Sequence, residues 1–130
     1  MMYVDVNVFF YWLTDHKEFG DVATRIIRRI ETGEKAVTST LTMWLLHILL
    51  KETTENYDPR LLVEKIRRIP FLKIVPLKLV HFEKALNLSQ KYGIDFEDAI
   101  HLAVAIENGC EGIYSNDKDF DRTPTERRFE

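Results

Sequence analysis

The sequence predicts an α/β three-layer sandwich, with a central, mostly parallel sheet of four to five strands flanked by helices. Short β-rich runs alternate along the chain with longer amphipathic stretches, and that alternation produces parallel pairing through crossover helices. Start and stop residues punctuate the helical stretches. The 130 residues carry no internal repeat, low-complexity stretch or Gly/Ser linker, so one domain spanning 1–130 is expected, large enough to bury its own core.

The chain opens on a strand over Tyr3–Val6. Asn7 is placed to cap a short helical run through Val8-Phe9-Phe10-Tyr11-Trp12-Leu13. Phe19, Val22, Ala23, Ile26, Ile27 and Ile30 recur at helical spacing, predicting a helix over 19–32 that Gly33 stops. Lys35–Thr38 is a second strand, and Ser39 or Thr40 caps a helix to about Thr53. Asp58-Pro59 supplies a cap and a first-turn proline for a helix to about Ile69. Phe71–Val75 is a third strand between two prolines. Leu79–Tyr92 is helical up to Gly93, and Asp95 opens a further helix to Asn108. Gly112–Ser115 is the fourth strand, with Glu126–Phe129 a candidate fifth.

Composition narrows the function. A single cysteine, Cys110, excludes an internal disulfide and a thiolate zinc site, and suits a reducing cytoplasm. No apolar run reaches the ~18–20 residues of a membrane span, and no basic leader precedes the first strand, so neither a membrane partner nor secretion is expected. A net charge of -3 excludes a globally basic nucleic-acid binder but leaves local patches open.

In open α/β sheets, ligands sit beyond the carboxyl ends of the strands. That rule selects Asp5 and Asn7 after the first strand, Ser39 and Thr40 after the second, and Asp117 and Asp119 after the fourth. Asp98 falls in the first turn of the 95–108 helix. Chain-distant carboxylates brought to one edge repel unless a cation lies between them. A hard ion with oxygen ligands, Mg²⁺ or Mn²⁺, meets that need, and its bound water can attack a phosphodiester. Lys118 and Arg122 flank the acids, placed either for an RNA phosphate or as counter-ions to Asp117 and Asp119. His101 lies one turn beyond Asp98 on the same face, where a partly buried, hydrogen-bonded ring is expected, the alternative being a catalytic or supporting role at the acids. A helix cannot bury all of Phe9-Phe10-Tyr11-Trp12 on one face, so at least one should approach the surface.

The segments Tyr3-Val4-Asp5-Val6-Asn7, Asp98-Ala99-Ile100-His101-Leu102-Ala103 and Ser115-Asn116-Asp117-Lys118-Asp119-Phe120 together resemble the PIN-domain ribonucleases, and among them the VapC-type toxins of toxin–antitoxin pairs. The resemblance implies a PIN-like sandwich and Mg²⁺- or Mn²⁺-dependent hydrolysis of RNA. It places the metal on Asp5, Asp98 and Asp117, with Asp119 as a further catalytic acid and Asn7 and Ser115 as supporting polar residues. It also implies an RNA substrate, an antitoxin protein and a homodimer. The sequence departs from the family in one place. The glutamate expected three residues after Thr42 is Leu45, and the position before it is Trp44. Asp95, on the face of Asp98, is the better substitute acid; Glu97 points about 100° away. The departure keeps open a second function, a weakened or inactive PIN-like module that binds RNA or protein. An aspartyl-phosphate phosphatase would need a second aspartate where Asn7 stands.

Overall fold

The first strand, β1 (Met2–Val4), is buried on both sides. Met2 and Val4 face one half of the core, and Tyr3 faces the other. That two-sided burial requires helices on both faces of the sheet, and the computed structural model, which describes all of Met1–Glu130, has them. The chain continues through α1 (Val6–Leu13), α2 (Gly20–Glu31), β2 (Ala36–Ser39), α3 (Thr40–Thr53), α4 (Pro59–Arg67), β3 (Leu72–Val75), α5 (Leu79–Tyr92), α6 (Phe96–Glu107), β4 (Gly112–Tyr114) and β5 (Glu126–Arg128). A 3₁₀ turn, Lys118–Arg122, separates the last two strands.

The five strands form one sheet in the order β3-β2-β1-β4-β5, and every pairing is parallel. The chain builds outward from β1 to β3, then returns to the other side of β1 with β4. The strand order therefore reverses between β1 and β4, and their carboxyl ends flank the crevice where such sheets bind ligands. The edge strand β5 is Glu126-Arg127-Arg128, whose charges discourage pairing with another sheet.

The two core halves follow strand alternation. On one side, Met2, Val4, Ala36 and Tyr114 pack with apolar residues of α1 to α4, among them Phe9, Ile27, Leu46 and Ile66. On the other, Tyr3, Val37 and Ile113 pack with Ala85 of α5 and with Ala99, Leu102 and Ala105 of α6. Every side chain from Asp98 to Ala105 is buried, which fixes α6 against the sheet along most of its length.

Most element limits agree with the sequence reading to within one or two residues. The first helix begins earlier than Asn7 as its cap would require. Its cap is Asp5, whose side chain accepts the Val6 N–H, and Asn7 lies inside the helix. The strand accordingly stops at Val4, because Asp5 is taken up by the cap. The third strand starts at Leu72, since Phe71 has a φ of +67° and leaves the extended region. Of the aromatic run, only Phe9 is wholly buried; Phe10, Tyr11 and Trp12 are half-buried.

Gly112 is a tight point. A Cβ there would lie 2.8 Å from the Glu126 carbonyl oxygen and 2.9 Å from the Met2 Cε. The side chain of Met2 can move, but the β5 backbone can do so only by disturbing the ladder. Gly112→Ala is therefore expected to cost about 1–3 kcal/mol through overpacking, seen as a Tm lower by several degrees in a thermal melt.

Candidate metal centre

Asp5 emerges from β1 at the crevice, 3% exposed. Its Oδ1 accepts the Val6 N–H at 2.7 Å. Its Oδ2 accepts the Ser115 hydroxyl at 2.7 Å and the Asn7 amide at 3.1 Å. Asn7, one helical position inside α1, also donates to Ser115 Oγ and accepts the Asn116 N–H. Ser115 Oγ in turn accepts the Asp117 N–H at 2.9 Å. One web of hydrogen bonds thus joins the ends of β1 and β4 and aims the segment that follows β4.

That segment carries two acids. Asp117 caps the 3₁₀ turn, its Oδ1 accepting the Asp119 N–H at 2.9 Å. Phe120 is fully buried in the α6 half of the core and anchors the turn. Arg122 Nη1 donates to the Gly93 carbonyl at 2.8 Å, tying the turn to the bend before α6. The opposite wall is Asp98, in the first turn of α6 and 6% exposed.

Asp98, Asp117 and Asp119 offer carboxylate oxygens that all lie within 4.8 Å of one another. The sequence grouped Asp98 and Asp117 with Asp5, and placed Asp119 as an assistant. In the fold, Asp119 completes the close trio, and Asp5 stands beside it with its oxygens turned to Val6, Asn7 and Ser115. Asp95 and Glu97 are exposed and outside the trio. Leu45 is half-buried on α3, so the only acids grouped here come from α6 and the segment after β4. Lys118 is exposed beside them, whereas Arg122 approaches Asp119 at 3.8 Å. Arg122 thereby has both a counter-ion role and the Gly93 tether.

The electrostatics follow from crowding. Burial foremost, then the Asp117 and Asp5 carboxylates, pushes the Asp98 carboxyl up to about 8 from its ordinary 3.8; a hydrogen bond to Asp117 also favours the protonated form. A divalent cation removes that penalty by replacing the proton. The donor set is all oxygen and carboxylate-rich, which suits Mg²⁺ or Mn²⁺ rather than a thiol-seeking metal.

The sequence reading underestimated the support behind the acids. His101 is fully buried, with Nδ1 2.6 Å from the Tyr3 hydroxyl. Asn116 links Asn7 to the Tyr11 hydroxyl. Only the three-residue spacing of Asp98 and His101 hinted at the first of these; Tyr3 and Asn116 lie within the motif segments, but nothing local marked them as partners of His101, Asn7 or Tyr11.

A raised carboxyl has a defined effect on stability. Between about pH 4 and pH 8 the folded state keeps a proton on Asp98 that the unfolded chain has lost, so stability falls as pH rises through that window. In chelator, Tm should decline from pH 5 to pH 8. Asp98→Asn should flatten that decline, and millimolar Mg²⁺ should raise Tm most at the alkaline end.

The comparisons with known proteins fit this architecture. The family model for the PIN domain matches residues 2–126. No curated protein matches the chain in sequence. Among solved structures, the chain is similar to VapC20 of Mycobacterium tuberculosis, a Sarcin-Ricin loop cleaving toxin, at 17% identity, TM-score 0.77 and 96% coverage of both chains. It is similar to a chain of a toxin–antitoxin complex from Klebsiella pneumoniae at 17% identity and TM-score 0.71, covering 95% of this chain and 93% of the other. VapBC2 from Rickettsia felis, bound to a DNA fragment from its promoter, aligns at 14% identity and TM-score 0.73 over 98% of both chains. At these identities the structural likeness speaks to the fold; the family match covers nearly the whole sequence, and on that ground the chain belongs to the PIN domain family.

Proposed function

We propose that this protein is a metal-dependent endoribonuclease, acting as the toxin of a toxin–antitoxin pair. The observation that carries the reading is the gathering of Asp98, Asp117 and Asp119 within 4.8 Å, at the crevice between β1 and β4 and with Asp5 alongside. Asp98 and Asp117 would hold Mg²⁺ or Mn²⁺, with Asp5 and Asp119 completing the acid set. When bound, the ion supplies an activated water and neutralises charge developing on the phosphoryl oxygens. The chain itself contributes orientation. Asn7 and Ser115 fix Asp5, and Ser115 fixes the backbone of Asp117. Lys118 is free to meet the RNA backbone, and Arg122 lends charge nearby while tethering the turn. No helix is long and apolar enough to cross a membrane, and we place the protein in the cytoplasm as a single-domain chain.

Two surface features support protein partners. A cleft of about 280 Å³ is lined by Trp12, Leu13, Glu31, Lys65, Arg68 and Ile69, with the apolar floor and charged rim that suit an antitoxin segment. Trp44, Leu79 and Leu86 are each more than 60% exposed, which is apolar area of the kind a homodimer covers.

The second reading is a PIN-like module that binds without cutting, favoured by Leu45 where the family carries an acid. Incubation of diverse RNAs with the protein in Mg²⁺ or Mn²⁺ separates the two. Cleavage should appear with metal and vanish in chelator. Asp98→Asn and Asp117→Asn should each lower the rate by at least the ~10–100-fold typical of disturbing a metal site's supporting residues. Metal-independent retention of RNA, with no cleavage and no effect of Asp5→Asn, would establish the binder.

The RNA contact has its own signature. If Lys118 neutralises one phosphate, Lys118→Ala should weaken binding of single-stranded RNA whatever its sequence. The slope of log K against log salt should shrink by about 0.7, read by filter binding across a salt series.

A further inference from the structure

The polar chain behind Asp5 has a loose end. Ser39 Oγ lies 3.0 Å from the Tyr3 hydroxyl, which lies 2.6 Å from His101 Nδ1. All three residues are fully buried. The other ring nitrogen, His101 Nε2, is buried with no hydrogen-bond partner, and it faces Asp5 Oδ1 at 3.6 Å. Asp5 Oδ1 accepts only the Val6 N–H, while Oδ2 accepts two donors. A carboxylate has about four acceptor sites, and the vacant one belongs to the oxygen that Nε2 faces.

The proton count then follows. Tyr3 has one hydroxyl proton to direct at either Ser39 Oγ, 3.0 Å away, or His101 Nδ1, 2.6 Å away. Its shorter contact is with His101 Nδ1, leaving Ser39 to donate to the phenol oxygen. A neutral imidazole that accepts at Nδ1 must carry its single proton at Nε2.

We propose that His101 is a positioning residue for Asp5: the Ser39–Tyr3 relay fixes its ring as the Nε2–H tautomer, and that N–H is directed at Asp5 Oδ1 to hold the carboxylate in register with Asp98, Asp117 and Asp119. Asp5 then takes hydrogen bonds from Val6, Asn7 and Ser115, and the His101 N–H faces its Oδ1 from 3.6 Å. The role in cation binding rests on the metal-site reading above; the tautomer and the contact with Asp5 stand apart from it.

Side-chain ¹H–¹⁵N spectra of the full chain in chelator report the tautomer directly. His101 should show one Nε2–H form, Tyr3→Phe should mix the two tautomers, and Asp5→Asn should shift the Nε2–H resonance. An Nδ1–H ring, or an Nε2–H resonance indifferent to Asp5→Asn, would overturn the proposal. Mn²⁺ titration adds the second arm. His101→Gln, whose amide nitrogen reaches where Nε2 lies, should bind Mn²⁺ within a few-fold of wild type. His101→Asn, whose amide reaches only the Nδ1 position, should lose about tenfold or more while keeping a wild-type circular dichroism spectrum. If His101→Asn binds as tightly as wild type while Asp98→Asn does not bind, the positioning role is wrong and the metal site stands. If wild type binds no Mn²⁺, the metal site is wrong, and the spectra still decide for or against the His101–Asp5 contact.

Discussion

Carboxylates packed as closely as those of Asp98, Asp117 and Asp119 repel one another. Two full charges 4 Å apart near a protein surface oppose each other by about 4 kcal/mol, so packing must hold the group together. On one side that packing is α6, buried without interruption from Asp98 to Ala105. Phe120 supplies the other, sunk in the same half of the core and carrying Asp117 and Asp119 with it. The hydrophobic core supplies the energy that assembles the acids, and the raised carboxyl of Asp98 is its electrostatic consequence.

Asp5 is managed differently. It is the most deeply set of the four acids and has the most donors, three of them within 3.1 Å. Directed donors satisfy the oxygens of a buried carboxylate and fix its orientation. The same donors tie β1 to β4, because Ser115 and Asn7 serve Asp5 and the Asp117–Asn116 backbone at once. Moving any one of them changes the direction of two acids. This explains why short polar side chains stand at Asn7 and Ser115, where longer ones would separate the two strand ends.

The fold was largely legible because its signals are local. Gly93, at a φ of +65°, stops α5 where its position suggests, and Asp58-Pro59 starts α4 with the Asp58 carboxylate on the Arg60 N–H. Asp5 and Asp117 could be singled out because the strand-end rule acts on sequence position alone, and Asp98 because it falls in the first turn of a helix. Three things were hidden. Asp5 displaced Asn7 as the first helix cap, a choice made by the crevice and not by cap preference. The close trio took Asp119, since the turn after Asp117 folds back under the pull of Phe120. Tyr3 looked like an ordinary apolar strand residue, and only the sheet pairing brings its hydroxyl to Ser39 and His101, 36 and 98 residues away.

Leu45 gives the site its particular character. With no acid from α3, the trio is drawn from two segments only, the first turn of α6 and the turn after β4. Their relative placement depends on few contacts, and two can be named. Phe120 sets the depth of the turn, and Arg122 sets its azimuth by gripping the Gly93 carbonyl at the bend that leads into α6. Because Arg122 also approaches Asp119 at 3.8 Å, one guanidinium spans both walls and offsets part of the charge that an α3 acid would have increased. A site with fewer acids and a built-in cation nearby repels itself less in the absence of metal. By the same reasoning, on the metal-site reading proposed above, it would hold a divalent ion less tightly, since affinity in such centres scales with ligand charge.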